Sequence, residues 1–232
     1  MKSLLNQTVL ELSSVVANST MNRERGCSGG NSYAKELQFD LPAFLESRCR
    51  TQAEVRWLDL CCGRGKALIE AARGLEKFSS QVRLKLIGVD LVSMFDAVPA
   101  RLDFLQLLEG SVSYWQPNGC FDLITCVHGL HYVGDKLGLI AKAAGWLKTD
   151  GIFLANLDPN NLKLAAGESA GRKIIGSLRQ DGFEFLTGKR LLIRKGRTEF
   201  KPDVEYLGAD DAAGANYTGQ AAVNSYYRSL KH

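Results

Sequence analysis

The chain lacks several short patterns that fix a protein's chemistry at once, and each absence removes a class of site. None of its six cysteines, at 27, 49, 61, 62, 120 and 126, stands in a C-x-x-C pair, which excludes the common zinc and thiol-redox spacings. Three of them fall in expected buried strands or in a tight turn, so they read as reduced thiols in a cytoplasmic protein. There is no G-x-x-x-x-G-K-S/T loop, and Leu68 stands where a third glycine would complete G-x-G-x-x-G, so neither the P-loop nor the dinucleotide fingerprint is present. His128 and His131 have no glutamate or cysteine cluster beside them to complete a ligand set, and no metal is expected. Strong charge is missing too: a formal +4 and a pI near 8.7 admit an anionic partner but fall short of the basic face of a dedicated nucleic-acid binder. At the amino end Leu4, Leu5, Val9, Leu12 and Val16 are interrupted by Asn6, Gln7 and Glu11. That argues against a signal peptide or membrane span and for an amphipathic helix with residues 5, 9, 12 and 16 on one face.

What is present suits an ordinary globular domain. With 45% hydrophobic and 23% charged residues over 232 positions, the chain can bury a full core as one domain with additions. The polar, glycine-bearing segment Asn18 to Asn31 reads as a linker or a lid. A helix is expected from Leu41 to Cys49, with Asp40 as its N-cap and Pro42 in its first turn. From Val55 onward short apolar runs alternate with longer helical stretches, the signature of a parallel sheet covered on both faces. Strands are expected at 55–60, 84–89, 102–107, 121–127 and 152–157. Asp135 reads as the N-cap of a helix with Leu137, Ile140, Ala144 and Leu147 on one face, and Asp150-Gly151 as the turn into the fifth strand. A helix at about 168–180 precedes a closing hairpin, Phe183 to Leu186 and Leu191 to Arg194, turned through residues 187–190. The tail, with Tyr206, Tyr217, Tyr226 and Tyr227 and an Ala/Gly-rich 208–223, reads as too polar for a simple core element and as an added cap.

The most informative stretch is Val55 to Lys66. Trp57, Leu58 and Leu60 fit a buried strand, Gly63 and Gly65 permit a tight turn and close approach to a ligand, and Ala67 to Ala72 begin a helix whose N-terminus suits a carboxylate or phosphate. Asp59-Leu60-Cys61-Cys62-Gly63-Arg64-Gly65 resembles the first motif of the class I S-adenosylmethionine-dependent methyltransferases. Cys61 replaces the motif's first glycine; cysteine is small enough for the turn but adopts positive φ only at a cost. The resemblance implies a Rossmann-like α/β fold with a seven-stranded, mostly parallel sheet whose last strand is antiparallel. It covers residues 51–196 as a methyltransferase core, flanked by a helical extension and lid at 1–50 and a C-terminal extension at 197–232. It also implies S-adenosylmethionine as cofactor.

The resemblance carries over residue by residue. Asp90 ends the run Leu84 to Asp90 at the carboxyl end of the second strand, where a carboxylate accepts both hydrogen bonds of a ribose diol. Leu91 follows it. Asp59 takes the position that touches the methionine moiety, or else caps loop N–H groups. Gly110, Ser111 and Val112 follow the third strand, where the family holds adenine, although E-G-S is also simply a turn. Phe121 to Val133 resembles the fourth strand of small-molecule methyltransferases and the turn after it, placing His128 near the sulfonium and His131 nearer the acceptor. His131 is a candidate base or a structural imidazole, and Asp158 a second candidate base or an Asx turn before Pro159. Tyr33, in Asn31 to Leu37, is a candidate lid contact or an ordinary surface residue. The cofactor set is therefore Tyr33, Asp59, Cys61, Gly63, Gly65, Asp90, Leu91, Gly110, Ser111, Val112 and His128.

The function implied is O- or N-methylation of a small molecule. An RNA or protein methyltransferase is the alternative: Lys189, Arg190, Arg194, Lys195, Arg197 and Lys201 concentrate positive charge, but no N-P-P-Y or D-P-P-Y tetrapeptide is present to hold a flipped amino group. A non-catalytic cofactor-binding module is a further alternative, and the missing third glycine weakens a nicotinamide-dependent reductase.

Overall fold

The computed structural model describes residues 4–17 and 24–230, so residues 18–23 of the expected linker lie outside the described residues. In chain order the elements are α1 (Gln7–Glu11), α2 (Tyr33–Leu37), α3 (Leu41–Thr51), β1 (Glu54–Leu60), α4 (Lys66–Leu75), β2 (Arg83–Asp90), β3 (Leu105–Glu109) and β4 (Phe121–Cys126). They continue with α5 (Lys136–Gly145), β5 (Leu147–Asn156), β6 (Leu162–Leu164), α6 (Gly171–Gln180), β7 (Glu184–Leu186), β8 (Leu191–Lys195), β9 (Val204–Asp210) and β10 (Asn224–Ser229). Among the described residues no helix is long and apolar enough to cross a membrane.

Seven strands form one sheet in the order β3-β2-β1-β4-β5-β8-β7, parallel except for β8, which runs antiparallel to both neighbours. This is the Rossmann-like methyltransferase sheet with its antiparallel last strand. Side-chain alternation sends Leu58, Leu60, Ile124 and Cys126 to one face, with α5 and α6, and Val55, Trp57 and Leu123 to the other, with α4 and α3. The strand order reverses between β1 and β4, with β2 and β3 laid to one side and the later strands to the other, so a crevice opens beyond the carboxyl ends of β1 and β4. Local chemistry sets the helix starts as expected. Asp40 caps α3 by accepting from Ala43 N at 3.0 Å, and Asp135 caps α5 by accepting from Gly138 N at 2.9 Å, each bond being worth about 1 kcal/mol.

Several boundaries differ from the sequence reading. The third strand is displaced from 102–107 to 105–109, and the helix expected at 168–180 starts at Gly171. The fifth strand begins at Leu147, and Asp150-Gly151 lies inside it. There the pairing with β4 jumps from Phe121↔Leu147 to Leu123↔Ile152, a bulge and not an external turn. The amino-terminal helix is only five residues long and presents a different face. Leu10 and Val16 are buried, whereas Val9 and Leu12 are 48% and 79% exposed.

The tail is the largest correction. Its strands β9 and β10 join β6 in a three-stranded sheet in the order β6-β10-β9, where Ala209 and Val223 form a small core with Leu10 and Val16 while Tyr227 packs into the main core. Leu5 bridges to Ala209 through backbone bonds of 2.8 and 3.2 Å, so the amino-terminal segment joins this small sheet. Lys136 locks it to the main domain. The Lys136 ammonium is fully buried and donates to Val133 O at 2.9 Å, Val223 O at 2.8 Å and Ser225 Oγ at 2.8 Å, while burial pulls its pKa down to about 7. Lys136→Met leaves those three buried acceptors without a donor, at about 1–3 kcal/mol each, and removes the cost of burying the charge. A net loss of about 2 kcal/mol is expected, read as a lower Tm and as earlier proteolytic cutting between β9 and β10.

Candidate active site

The turn after β1 is built from three left-handed residues, Cys61 at φ 59°, Gly63 at φ 60° and Gly65 at φ 76°. Cys61 adopts the glycine-like conformation outright, at about 1–2 kcal/mol for a residue with a Cβ. Space for that Cβ comes from across the crevice. A Cβ added to Gly129 would fall 2.4 Å from Cys61 Cβ, so the missing side chain at 129 makes room for the extra one at 61. Cys62 N donates to Val89 O at 3.1 Å, tying the turn to β2, and Gly65 leads into α4. Asp90, at the end of β2, accepts from Gly63 N at 2.8 Å and from Val92 N at 3.2 Å. Its carboxylate therefore stands beside the turn, anchored by two backbone donors.

Behind the turn lies a polar string made possible by strand register, since Asp59 pairs with Thr125 across β1 and β4. Asp59 is buried and accepts from Tyr33 Oη at 2.7 Å and Thr125 Oγ1 at 2.5 Å, while Thr125 Oγ1 accepts from Trp57 Nε1 at 2.9 Å. Burial raises the Asp59 carboxyl to about 7 against the opposing pull of the hydrogen bonds from Thr125 and Tyr33. The folded protein thus holds a proton there that the unfolded chain has released, so stability falls as pH rises from about 4 to about 7. Asp59→Asn is expected to flatten that slope, by up to about 1.4 kcal/mol per pH unit, in denaturant titrations across this range.

The crevice itself is a cleft of about 840 Å³, counting the solvent at its mouth. Of the residues singled out from sequence, Tyr33, Cys61, Gly63, Asp90, Leu91, Ser111, Val112 and His128 line it. Asp59 lies behind Tyr33, and Gly65 and Gly110 support the turns after β1 and β3 without lining the cleft. His131 and Asp158 are buried outside the lining.

The far end of the cleft gathers groups from distant parts of the chain. His128, left-handed at φ 58°, donates its backbone N–H to Asn156 Oδ1 at 3.3 Å, and its Nε2 lies 2.9 Å from Glu36 Oε2. The imidazole contact is the largest influence holding the Glu36 carboxyl below its ordinary pKa. His128 Nδ1 is 3.4 Å from both Tyr217 Oη and His131 Nε2. Burial and the neighbouring His128 keep His131 well below the usual histidine range, and its Nδ1 has no hydrogen-bond partner among the described residues. Asp158 is occupied by Arg190 and by Asn160 N at 3.0 Å, and Arg190 stacks over the Tyr217 ring at 4.8 Å. Arg25, which lines the cleft, lies 3.7 Å from Glu36.

Sequence reading missed Glu11, Gln7, Arg25, Glu36 and Tyr217. Gln7 and Glu11, four residues apart, interrupted an apolar pattern and looked like a solvent face, yet both line the cleft. Glu36 and Tyr217 meet His128 only through the fold, and nothing local marks them. Among the described residues no group of three or more His, Cys, Asp or Glu side chains is placed to hold a metal ion.

A family model described as a methyltransferase domain matches residues 30–173. The chain belongs to that family. It is a class I S-adenosylmethionine-dependent methyltransferase, and S-adenosylmethionine is its cofactor. The cleft of this methyltransferase fits the group: a left-handed turn whose backbone is open to a ligand, a carboxylate for a diol and apolar side chains for a base. Among solved structures, the cyclase SpnF is 18% identical, with 70% of this chain and 63% of that one covered at a TM-score of 0.44. An amino pentose methyltransferase of calicheamicin biosynthesis from Micromonospora echinaspora is 22% identical, with 55% and 51% covered at 0.40. A phosphoethanolamine N-methyltransferase from Haemonchus contortus is 20% identical, with 54% and 28% covered at 0.38. The chain spans less than two thirds of the length of each. No curated protein matches it.

Proposed function

We propose that this methyltransferase methylates an oxygen or nitrogen of a small molecule. The supporting observation is the convergent polar group at the edge of the cleft, where His128 after β4, which lines it, meets Glu36 from α2 and Tyr217 from the β9–β10 connection, an arrangement suited to a small acceptor. The basic residues near the closing hairpin do not favour a polymer, since Arg190 is held by Asp158 and Arg194 donates to Gly196 O at 3.0 Å and Asp181 O at 2.9 Å.

In this reading Asp90 holds the ribose diol, Leu91 and Val112 flank the adenine beside Gly110 and Ser111, and the Cys61-Gly63-Gly65 turn with Tyr33 and Asp59 holds the methionine end. S-adenosylmethionine supplies an activated methyl group, so the protein's main task is alignment, with proton removal needed for an acceptor of high pKa. His128 is the group suited to that removal. Glu36 orients the ring through Nε2 and stabilises positive charge on it, which leaves Nδ1 on the side of Tyr217 to take a proton. His131 packs behind His128 as a positioning residue, and Asp158 positions Arg190. The segments 1–50, 51–196 and 197–232 act as lid, core and cap.

The test is methyl transfer from labelled S-adenosylmethionine to a panel of small phenols, amines and carboxylates, beside total RNA and denatured protein. Label in a small acceptor supports the proposal. Label only in RNA or protein, or in nothing while S-adenosylhomocysteine binds, overturns it.

A further inference from the structure

The amino-terminal helix brings a carboxylate to the cleft that the expected cofactor set does not contain. Glu11 lines the cleft on the same side as Leu91, Ser111 and Val112, beyond the carboxyl ends of β2 and β3. Its Oε1 accepts from Ser111 Oγ at 2.5 Å and from Gln7 Nε2 at 2.7 Å. Ser111 thus spends its only side-chain proton on Glu11, and its oxygen in turn accepts from Ser113 N at 3.2 Å. A carboxylate has about four lone-pair sites, two of which are used here. At this point the wall consequently presents free carboxylate lone pairs, and the Ser111 hydroxyl proton is engaged. What fits it is a ligand group rich in donors.

We infer that Glu11 selects the adenine of the cofactor by accepting a hydrogen from its exocyclic amino group. The inference rests on the cofactor placement above, in which Asp90 holds the ribose and the base lies toward Ser111. An amino group offers two N–H donors to the carboxylate. A base carrying a carbonyl at the same position sets oxygen against oxygen and leaves both unpaired, so Glu11 discriminates by rejection as well as by attraction. Holding Glu11 in register is the work of Gln7, one helical turn earlier, and of Ser111 beside it.

The experiment is isothermal titration of the full chain with S-adenosylhomocysteine and with S-inosylhomocysteine, which differ at that amino group. The wild type is expected to prefer the adenine form by about 100-fold. Glu11→Gln, whose amide donates to a carbonyl, narrows the preference to within about fivefold, and Glu11→Ala and Ser111→Ala shift it in the same direction. Asp90→Ala weakens both ligands in parallel, which isolates the ribose contact. Glu11 variants that lower both affinities equally, or that keep the wild-type preference, overturn the inference while leaving the cofactor placement standing. A wild type that binds neither ligand overturns both.

Discussion

Asp90→Ala is expected to reduce affinity for S-adenosylhomocysteine by about 100-fold, read by isothermal titration. Two losses add. The variant forfeits the pair of charge-assisted hydrogen bonds to the ribose diol, each worth about 1.5–3 kcal/mol. It also strips the acceptor from Gly63 N and Val92 N, the donors that fix the carboxylate against the turn. Because Gly63 belongs to the left-handed turn itself, the site loses preorganisation along with contacts. Asp90→Asn keeps one acceptor oxygen but sets its amide N–H against a backbone donor, Gly63 N or Val92 N, that offers no acceptor. Its affinity falls between the two, by about tenfold. Equal binding in Asp90→Ala and wild type removes the ribose assignment.

His128→Ala is expected to lower kcat about 10²–10⁴-fold on a hydroxyl acceptor, with S-adenosylhomocysteine affinity changed less than about threefold. The split follows from position. His128 faces the cleft through one edge and is clamped by Glu36 through the other, so its removal takes away a proton acceptor while the turn and Asp90 remain. Glu36→Gln keeps a hydrogen-bond partner for Nε2 but no negative charge to stabilise the protonated ring, and about a tenfold loss is expected. His131→Ala is expected to lower stability with a smaller effect on turnover, since His131 is buried behind His128 and Tyr217 and does not line the cleft. A larger kcat effect at 131 than at 128 would reverse the assignment of the base.

The parts of this site that were legible in sequence are those made by contiguous residues. Strand, turn and helix from Val55 to Leu75 follow one another with the glycines and the capping geometry written in order, and Asp90 ends its strand only one element later. Glu11, Glu36 and Tyr217 belong to the opposite case. Each acquires its role from a contact 89 to 100 residues away along the chain, or 92 in sequence for Glu36, through packing that no local pattern encodes. Fold errors have the same origin. Val9 and Leu12 sit at helical spacing from Leu5 and Val16, but α1 is too short for that spacing to matter, and the bridge between Leu5 and Ala209 orients it instead. The tail looked polar because Asp210 and Asn224 are internal partners there. Asp210 accepts from Asn224 Nδ2 at 3.0 Å and Tyr226 Oη at 2.6 Å, so polar composition was mistaken for solvent exposure.

The bridge between Leu5 and Ala209 bears on time as well as on shape. It joins the segment that carries Gln7 and Glu11 to the small sheet whose β9–β10 connection carries Gln220, so cleft residues from distant parts of the chain are tied together by two backbone bonds. Where release of the spent cofactor limits turnover, its rate then follows how often that short β-bridge opens.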